Sequence, residues 1–150
     1  MKVVIQRVLN CSVEINTEVK ASINQGLLVL AGFKEYDNLD DIDWIVGKII
    51  RLRIFSDLNN QMNLSVQDIN GEILVVSQFT LHASTKKGNR PSYIKAANPQ
   101  IAIPLYNTFV ANLRKEFGKE IKTGEFGADM KISLINNGPV TIIIDSKNKE

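Results

Sequence analysis

The segment SQFTL (77–81) brings several polar side chains to the end of an apolar run. Residues 72–81, EILVVSQFTL, are apolar and rich in β-branched side chains, which predicts a strand. In a regular strand Gln78, Thr80 and His82 would share one face, while Ser77 and Phe79 would lie on the other. Three polar side chains on one face at a strand end are placed to contact a ligand.

One chemical interpretation makes Thr80 a nucleophile toward an acyl carbon, with His82 as its base. Two observations weaken it. The two Cα atoms would lie roughly 6.5 Å apart in a regular strand, and no carboxylate nearby in the sequence would orient His82. We therefore expect His82 to be an exposed residue at a loop edge. Ser77 and Thr80 are either ligand contacts or ordinary strand residues bonded to the backbone.

The next 19 residues, 82–100, are predicted to form a polar loop. Loops of this length in compact domains are usually functional or disordered. Within this loop the stretch KKGNR places Lys86, Lys87 and Arg90 close together. These cations are either phosphate contacts for a nucleic acid or a solvated basic loop.

The last two candidate functional motifs contain glycine. In TGEFGADM (123–130), glycines flank Phe126, which could stack on a base or anchor the core. In LINNGPVTIIID (134–145), Asn137-Gly138 between apolar runs predicts a hairpin turn. Pro139 then removes a backbone N–H where the returning strand would begin to pair. A plain hairpin does not explain that proline.

Metal and cofactor signals are absent from the sequence. His82 is the only histidine and Cys11 the only cysteine, so no zinc-binding spacing exists. Neither a Walker loop nor a GxGxxG motif occurs. If this protein is an enzyme, the sequence therefore predicts that it works without a bound metal or nucleotide cofactor. A single cysteine cannot form an internal disulfide, which favours a cytoplasmic location.

The elements that would position these residues follow an α+β order. We expect strands at 2–8, 12–15, 18–23, 26–33, 72–81, 120–126, 129–136 and 139–145, with turns at Asn10 and Asn16-Thr17. The period changes to that of an amphipathic helix at 38–55. A second helix is predicted to end near Gly118. Asn98-Pro99 resembles an N-cap and first helical residue, but Pro104 would then lie inside the helix at a cost of about 3 kcal/mol, so we expect a start near Pro104. Runs of this kind predict an α+β fold with a mixed or antiparallel, barrel-like sheet and two main helices.

Composition sets wider limits. The chain has 150 residues, which predicts one domain over 1–150. Apolar residues make up 44% and charged residues 23%, as in soluble globular domains. No apolar run is long enough to span a membrane, and the N-terminus does not read as a signal peptide. A net charge of +2 permits a polyanionic partner without requiring one.

Taken together, six motifs resemble the D-aminoacyl-tRNA deacylases, first described as D-tyrosyl-tRNA deacylases. The motifs are VIQRV (4–8), MNLS (62–65), VVSQFTL (75–81), KGNRPSY (87–93), TGEFGADM (123–130) and NGPVT (137–141). They cover the chain nearly from end to end. Two departures stand out: His82 occupies a position where the family often has tyrosine, and Pro104 is unusual in the second helix.

The resemblance implies a role for each candidate. Such proteins hydrolyse the ester between a D-amino acid and the terminal adenosine of tRNA. They are homodimers with active sites at the subunit interface, and no membrane is involved. Four residues of the SQFTL motif would line the pocket, and two further residues would hold the terminal adenine. Gly138 and Pro139 would reject L-amino acids, and Arg7 would support their loop. The pocket residues are Ser77, Gln78, Phe79 and Thr80, and the adenine residues are Phe126 and Met130.

The resemblance also implies a mechanism. A glycine-proline pair in the cis form would reach into the partner's pocket, and its carbonyls would exclude L-amino acids. The ribose 2′-OH of the substrate, rather than a protein nucleophile, would assist hydrolysis. Glycine is achiral, so glycyl-tRNA, including glycine mischarged on alanine tRNA, should also be a substrate. No cofactor is implied.

Two other interpretations stay open. A non-catalytic nucleic-acid-binding module would use the basic loop and Phe126 for salt-dependent RNA binding without turnover. A structural dimer would use the glycine-proline loop only as an interface device.

Overall fold

Eight strands and two helices make up the part of the chain that the computed structural model describes, residues 1–149. The strands are β1 (Lys2–Ile15), β2 (Glu18–Ile23), β3 (Gly26–Gly32), β4 (Phe55–Ser56), β5 (Met62–Leu64), β6 (Glu72–Ser77), β7 (Lys122–Thr123) and β8 (Lys131–Asp145). The helices are α1 (Leu39–Arg51) and α2 (Pro99–Phe117), and a short 3-10 turn covers Phe79–His82.

The main sheet is mixed, which confirms the predicted α+β class. β1 pairs antiparallel with β2, β3 and β8, and the order β2-β1-β3-β6-β7 continues through two parallel pairs, β3 with β6 and β6 with β7. β2 also contacts β6 and β7, so the sheet curls toward a nearly closed barrel. β4 and β5 form a separate small hairpin.

Two predicted turns are wrong, because β1 and β8 are single long strands. β1 continues through Asn10, and β8 continues through Asn137-Gly138. The two strands pair with each other along almost their full lengths, from Lys2 opposite Asp145 to Glu14 opposite Lys131. This long-range pairing outweighs the local turn preference. The turn at Asn16-Thr17 is confirmed, and both residues have positive φ angles of 50° and 67°.

α1 begins where its capping residues predict and ends earlier than expected. The Asn38 side chain accepts a hydrogen bond from the Asp41 amide, and the Asp41 carboxylate accepts one from the Asn38 amide. This reciprocal capping satisfies two amides that have no partner within the helix. The helix stops at Arg51 because Leu52 is already extended, with ψ at 117°, and leads toward β4.

The predicted start of α2 at Pro104 is wrong, since the helix begins at Pro99. The Asn98 side chain accepts a hydrogen bond from the Ile101 amide at 3.2 Å, and Pro99 occupies the first helical position, where its missing N–H costs nothing. Pro104 therefore lies inside the helix and removes one backbone bond. The predicted end is confirmed, because Gly118 terminates the helix with φ at 73°.

The apolar core lies on both faces of the sheet. The larger cluster joins β1, β3 and β6 to α1 and α2, with Phe109, Ile45 and Ile49 fully buried. A smaller cluster on other residues of β1, β3 and β6 includes Cys11 and Leu74. Within residues 1–149, no helix is both long and apolar enough to cross a membrane.

Candidate functional site: a cavity at the ends of β3 and β6

A cavity of about 630 Å³ opens at the carboxyl ends of β3 and β6. The parallel register sets Ala31 opposite Ser77, so both strands end side by side. The start of α2 and the segment 126–132 complete the walls. The lining residues are Ala31, Gly32, Phe33, Val76, Ser77, Gln78, Phe79, Tyr93, Ala96, Ala97, Asn98, Pro99, Ala102, Phe126, Gly127, Ala128, Asp129, Met130 and Ile132.

The strand that carries the SQFTL motif ends at Ser77 rather than at 81. The Gln78 amide donates to the Ala31 carbonyl at 2.7 Å, and the chain then tightens into the 3-10 turn. The prediction that Gln78, Thr80 and His82 share one face of a strand is therefore wrong, because the strand ends before these residues. The structure still brings Ser77, Gln78 and Phe79 to the cavity wall, while Thr80 is not among the lining residues.

Thr80 and His82 do not form a nucleophile–base pair. The Gln78 side-chain amide donates to the Thr80 hydroxyl at 2.6 Å, which fixes the two side chains against each other. The two ring nitrogens of His82 have no partner in hydrogen-bond geometry anywhere in residues 1–149. The threonine hydroxyl thus lacks the base that a nucleophilic mechanism needs.

The predicted exposure of His82 is also wrong, because only 4% of the residue is exposed. The 3-10 turn directs the ring inward, against the backbone of Gly32. Burial is the main cause of a lowered pKa of His82, and the positive charges of Lys34 and the Met1 ammonium lower it further. The backbone of Gly32 and the Asp37 carboxylate act in the opposite direction.

A lowered pKa of His82 predicts acid sensitivity. The unfolded chain takes up a proton near the ordinary pKa of 6.5, whereas the folded chain does so only at lower pH. Stability is therefore complete above that pH and falls as the pH drops below it. We expect the urea midpoint to be lower at about pH 5 than at about pH 7.5, and His82→Phe to reduce this difference.

Chemical denaturation of both proteins at the two pH values measures the effect. At about pH 7.5 the variant should lose no more than about 3 kcal/mol, because the larger phenyl ring must be accommodated at a buried site. An equal loss of stability on acidification in both proteins would show that other groups cause it.

Phe126 packs against the core and also lines the cavity. Its ring packs edge-on against Tyr106 with centroids 5.7 Å apart, and it also lines the cavity. The Tyr106 hydroxyl donates to the Val75 carbonyl at 3.3 Å, and burial raises the pKa of Tyr106 to about 12. Met130 lies over Gly124, where a Cβ would collide with its sulfur atom. Phe126 and Met130 therefore form one apolar wall of the cavity.

Sequence reasoning missed several wall residues. Asn98 and Pro99 come from the first turn of α2, and the Ala97 amide donates to the Phe33 carbonyl at 2.9 Å, which ties this turn to the end of β3. The Asn98-Pro99 pair is itself a helix-start signal, and the turn was missed because this start places Pro104 inside the helix. Tyr93 and Asp129 lie within the KGNRPSY and TGEFGADM motifs, but no role was predicted for either.

The NGP motif forms a bulge in β8 opposite Arg7. Gln6 pairs with Thr141 and Val8 with Asn136, so residues 137–140 lie opposite Arg7 alone. The Asn136 side chain closes the bulge, since it accepts from the Val140 amide and donates to the Thr141 hydroxyl, both at 3.0 Å.

Arg7 supports this bulge from beneath. The guanidinium donates from Nε to the Asn137 carbonyl at 2.9 Å and from Nη1 to the Ile54 carbonyl, and only 9% of the residue is exposed. Gly138 has φ at 131°, and the Gly138-Pro139 peptide bond is cis. Gly138 and Pro139 are exposed, and neither they nor Arg7 belong to the cavity wall of the same chain.

The remaining candidates lie outside the cavity wall. Lys86, Lys87 and Arg90 are exposed on the loop between the 3-10 turn and α2. No group of three or more His, Cys, Asp or Glu side chains within residues 1–149 is placed to hold a metal ion.

These features define an α+β protein with a preformed, largely apolar ligand cavity at the ends of two parallel strands. The family model described as D-Tyr-tRNA(Tyr) deacylase matches residues 4–145. Proteins named D-aminoacyl-tRNA deacylase from Flavobacterium psychrophilum and Bacteroides fragilis (strain YCH46) are 67% and 61% identical, each over 100% of both chains. The chain belongs to this deacylase family, and it is therefore a hydrolase of the ester bond of aminoacyl-tRNA.

Solved structures agree on the fold. One, named "c-Myc DNA Unwinding Element Binding Protein", has a TM-score of 0.92 at 40% identity and covers 97% of this chain and 98% of that one. Another, described as "Structural Analysis of a probable eukaryotic D-amino acid tRNA deacylase", has a TM-score of 0.83 and covers 95% and 97%. At 17% identity, the second shows likeness of fold alone.

Proposed function

We propose that this protein removes D-amino acids from mischarged tRNA in the cytoplasm by hydrolysing the ester to the terminal adenosine. The observation that carries the proposal is the composition of the cavity. One wall presents Ser77, Gln78 and Phe79, and another presents Phe126 and Met130. Ser77, Gln78 and the backbone of Phe79 would hold the aminoacyl ester, and the apolar second wall would hold the adenine.

The proposed chemistry uses a group of the substrate in place of a protein nucleophile. An aminoacyl ester is already activated, and the ribose 2′-OH lies next to its carbonyl. The protein then supplies position and donors for the developing oxyanion. The first N–H groups of a 3-10 turn have no carbonyl partner within the turn. Phe79 begins this turn and lines the cavity, so its N–H group is the candidate donor.

We propose that chirality is selected across a homodimer. The Gly138-Pro139 tip is exposed and lies apart from the cavity wall of its own chain. In the proposed dimer the tip enters the partner's cavity, where its carbonyls face the amino acid. A rigid wall of this kind rejects L-amino acids by steric exclusion. Glycine has no side chain to exclude, so glycyl-tRNA, including glycine carried by alanine tRNA, would be accepted.

The decisive test compares three substrates under single-turnover conditions. We expect the purified protein to deacylate D-tyrosyl-tRNA and glycyl-tRNA(Ala) and to leave L-tyrosyl-tRNA at the rate of spontaneous hydrolysis. Equal rates on the two tyrosyl enantiomers, or no cleavage of the D form, would contradict the proposal.

A second candidate function is nucleic-acid binding without turnover. One protein of similar structure is named for binding to a DNA unwinding element. For this chain the exposed cations Lys86, Lys87 and Arg90 would contact phosphates. This candidate predicts salt-dependent binding of uncharged tRNA and no cleavage of D-tyrosyl-tRNA, so the same assay separates the two.

A further inference from the structure

Two exposed aromatic rings stand at the mouth of the cavity. Phe79 and Tyr93 pack edge to face with centroids 5.0 Å apart and an interplanar angle of 75°. They remain 55% and 40% exposed, although both line the cavity. An edge-to-face pair leaves ring surface open to stacking by a third planar group.

The segment of chain that carries this pair has several cations and no acidic residue, although Asp129 lines the cavity from another segment. From residue 73 to residue 115 the sequence contains no aspartate or glutamate. Lys86, Lys87, Arg90 and Lys95 all fall within the loop of residues 82–100. The whole protein is nearly neutral at +2, so this loop is a local concentration of charge that suits a polyanion.

Backbone pairing places that charge beside the aromatic rings. The Ser84 amide donates to the Ser92 carbonyl at 2.8 Å, and the Ser92 amide donates to the Ser84 carbonyl at 2.9 Å. These two bonds close residues 85–91 into a tip that holds three of the cations. Tyr93 directly follows the closing pair, so the base of the charged tip is continuous with the mouth of the cavity.

We infer that the Phe79–Tyr93 pair is the binding site for the nucleotide that precedes the terminal adenosine of tRNA, a cytidine. The inference rests on the proposed function. If the apolar wall of Phe126 and Met130 holds the terminal adenine, the chain of nucleotides must leave through the cavity mouth. Single-stranded nucleic acids are held by the combination found there, aromatic rings for bases beside cations for phosphates.

The test separates the terminal nucleoside from the nucleotides before it. Tyr93→Leu removes the ring, whereas Tyr93→Phe keeps it and removes only the hydroxyl. On D-tyrosyl-tRNA we expect Tyr93→Leu to raise KM by roughly 5- to 150-fold, the range that corresponds to one lost base stack, with kcat nearly unchanged. Tyr93→Phe should behave as the unmodified protein does. On D-tyrosyl-adenosine, which lacks the preceding nucleotide, Tyr93→Leu should raise KM by a much smaller factor than it does on D-tyrosyl-tRNA.

Tyr36→Leu is the matched control, because Tyr36 is 83% exposed and lies outside the cavity wall. It should leave KM unchanged for both substrates. Equal losses for Tyr93→Leu on D-tyrosyl-tRNA and on D-tyrosyl-adenosine would overturn the inference while leaving the proposed function intact.

Binding of unacylated ligands tests the same site without turnover. We expect the trinucleotide CCA to bind more tightly than adenosine, and Tyr93→Leu to remove most of that difference. Equal affinities of the unmodified protein for CCA and adenosine would overturn the inference. Failure to cleave either D-tyrosyl substrate would overturn the proposed function instead, so the two failures are distinguishable.

Discussion

Replacing Gly138 with alanine should lower kcat/KM for D-tyrosyl-tRNA about 100-fold, the scale of loss that a displacement of about 1 Å in a positioning group can cause. An added Cβ would lie 2.7 Å from Nη2 of Arg7 and 2.9 Å from Cγ2 of Val140. The φ of 131° is moreover one that residues with side chains rarely adopt. Arg7 is held by the Ile54 carbonyl, so the bulge rather than the arginine must move.

Discrimination should fall together with activity in this variant. Displacement of Pro139 would withdraw the wall that we propose for L-amino acids. The ratio of rates on D-tyrosyl-tRNA and L-tyrosyl-tRNA, measured with the same preparation, reports this directly. Retention of both the rate and the ratio would contradict the proposed role of the bulge.

Gly118→Ala controls for the backbone cost alone. Gly118 also has a positive φ, 73°, but nothing lies within 4 Å of the position that its Cβ would occupy. It terminates α2 and does not line the cavity. We expect this variant to lose some thermal stability and to keep its activity and its selectivity.

A substrate that ends in 2′-deoxyadenosine should be hydrolysed at least about 100-fold more slowly than the ribose form, because general-base assistance typically contributes roughly 10²–10⁴ to a rate. The same argument expects Thr80→Ala to keep activity within about tenfold, since Thr80 loses only its bond to Gln78. Single-turnover rates with both substrates and both proteins measure the two effects in one experiment.

Thr108→Ala is the control for removal of a threonine hydroxyl. Thr108 donates to the Pro104 carbonyl at 2.9 Å within α2 and does not line the cavity. A complete loss of activity in folded Thr80→Ala, with Thr108→Ala unaffected, would favour a threonine nucleophile. Similar rates on the ribose and deoxyribose substrates would exclude assistance by the 2′-OH.

The sequence predicted those elements whose signals are local. The helical period and the Asn38 cap located α1, and the apolar run at 26–33 located β3. The long strands β1 and β8 were missed because their pairing joins residues more than 100 positions apart, while the turn signals at Asn10 and Asn137-Gly138 are short-range. Hydrophobic periodicity cannot show whether long-range strand pairing or a local turn preference is the stronger.

The site was predictable in part for the same reason. The motif at 77–79 and Phe126 were recognised, and the structure brings them to one cavity. The burial of His82 was not foreseeable, because it depends on the change from strand to 3-10 turn after Ser77. The first turn of α2 lines the cavity because the helix begins at Pro99. That start was not predicted because it places Pro104 inside the helix.

The closure of the β8 bulge has a consequence for how this family can vary. Pairing resumes at Thr141 after it stops at Asn136, and Ile142 and Ile144 keep their places against the core on the far side. The number of residues between these two anchor points therefore sets how far the tip stands out from the sheet, while the paired residues on either side are unaffected. The reach of the tip and the pairing of the strand therefore depend on different residues of β8.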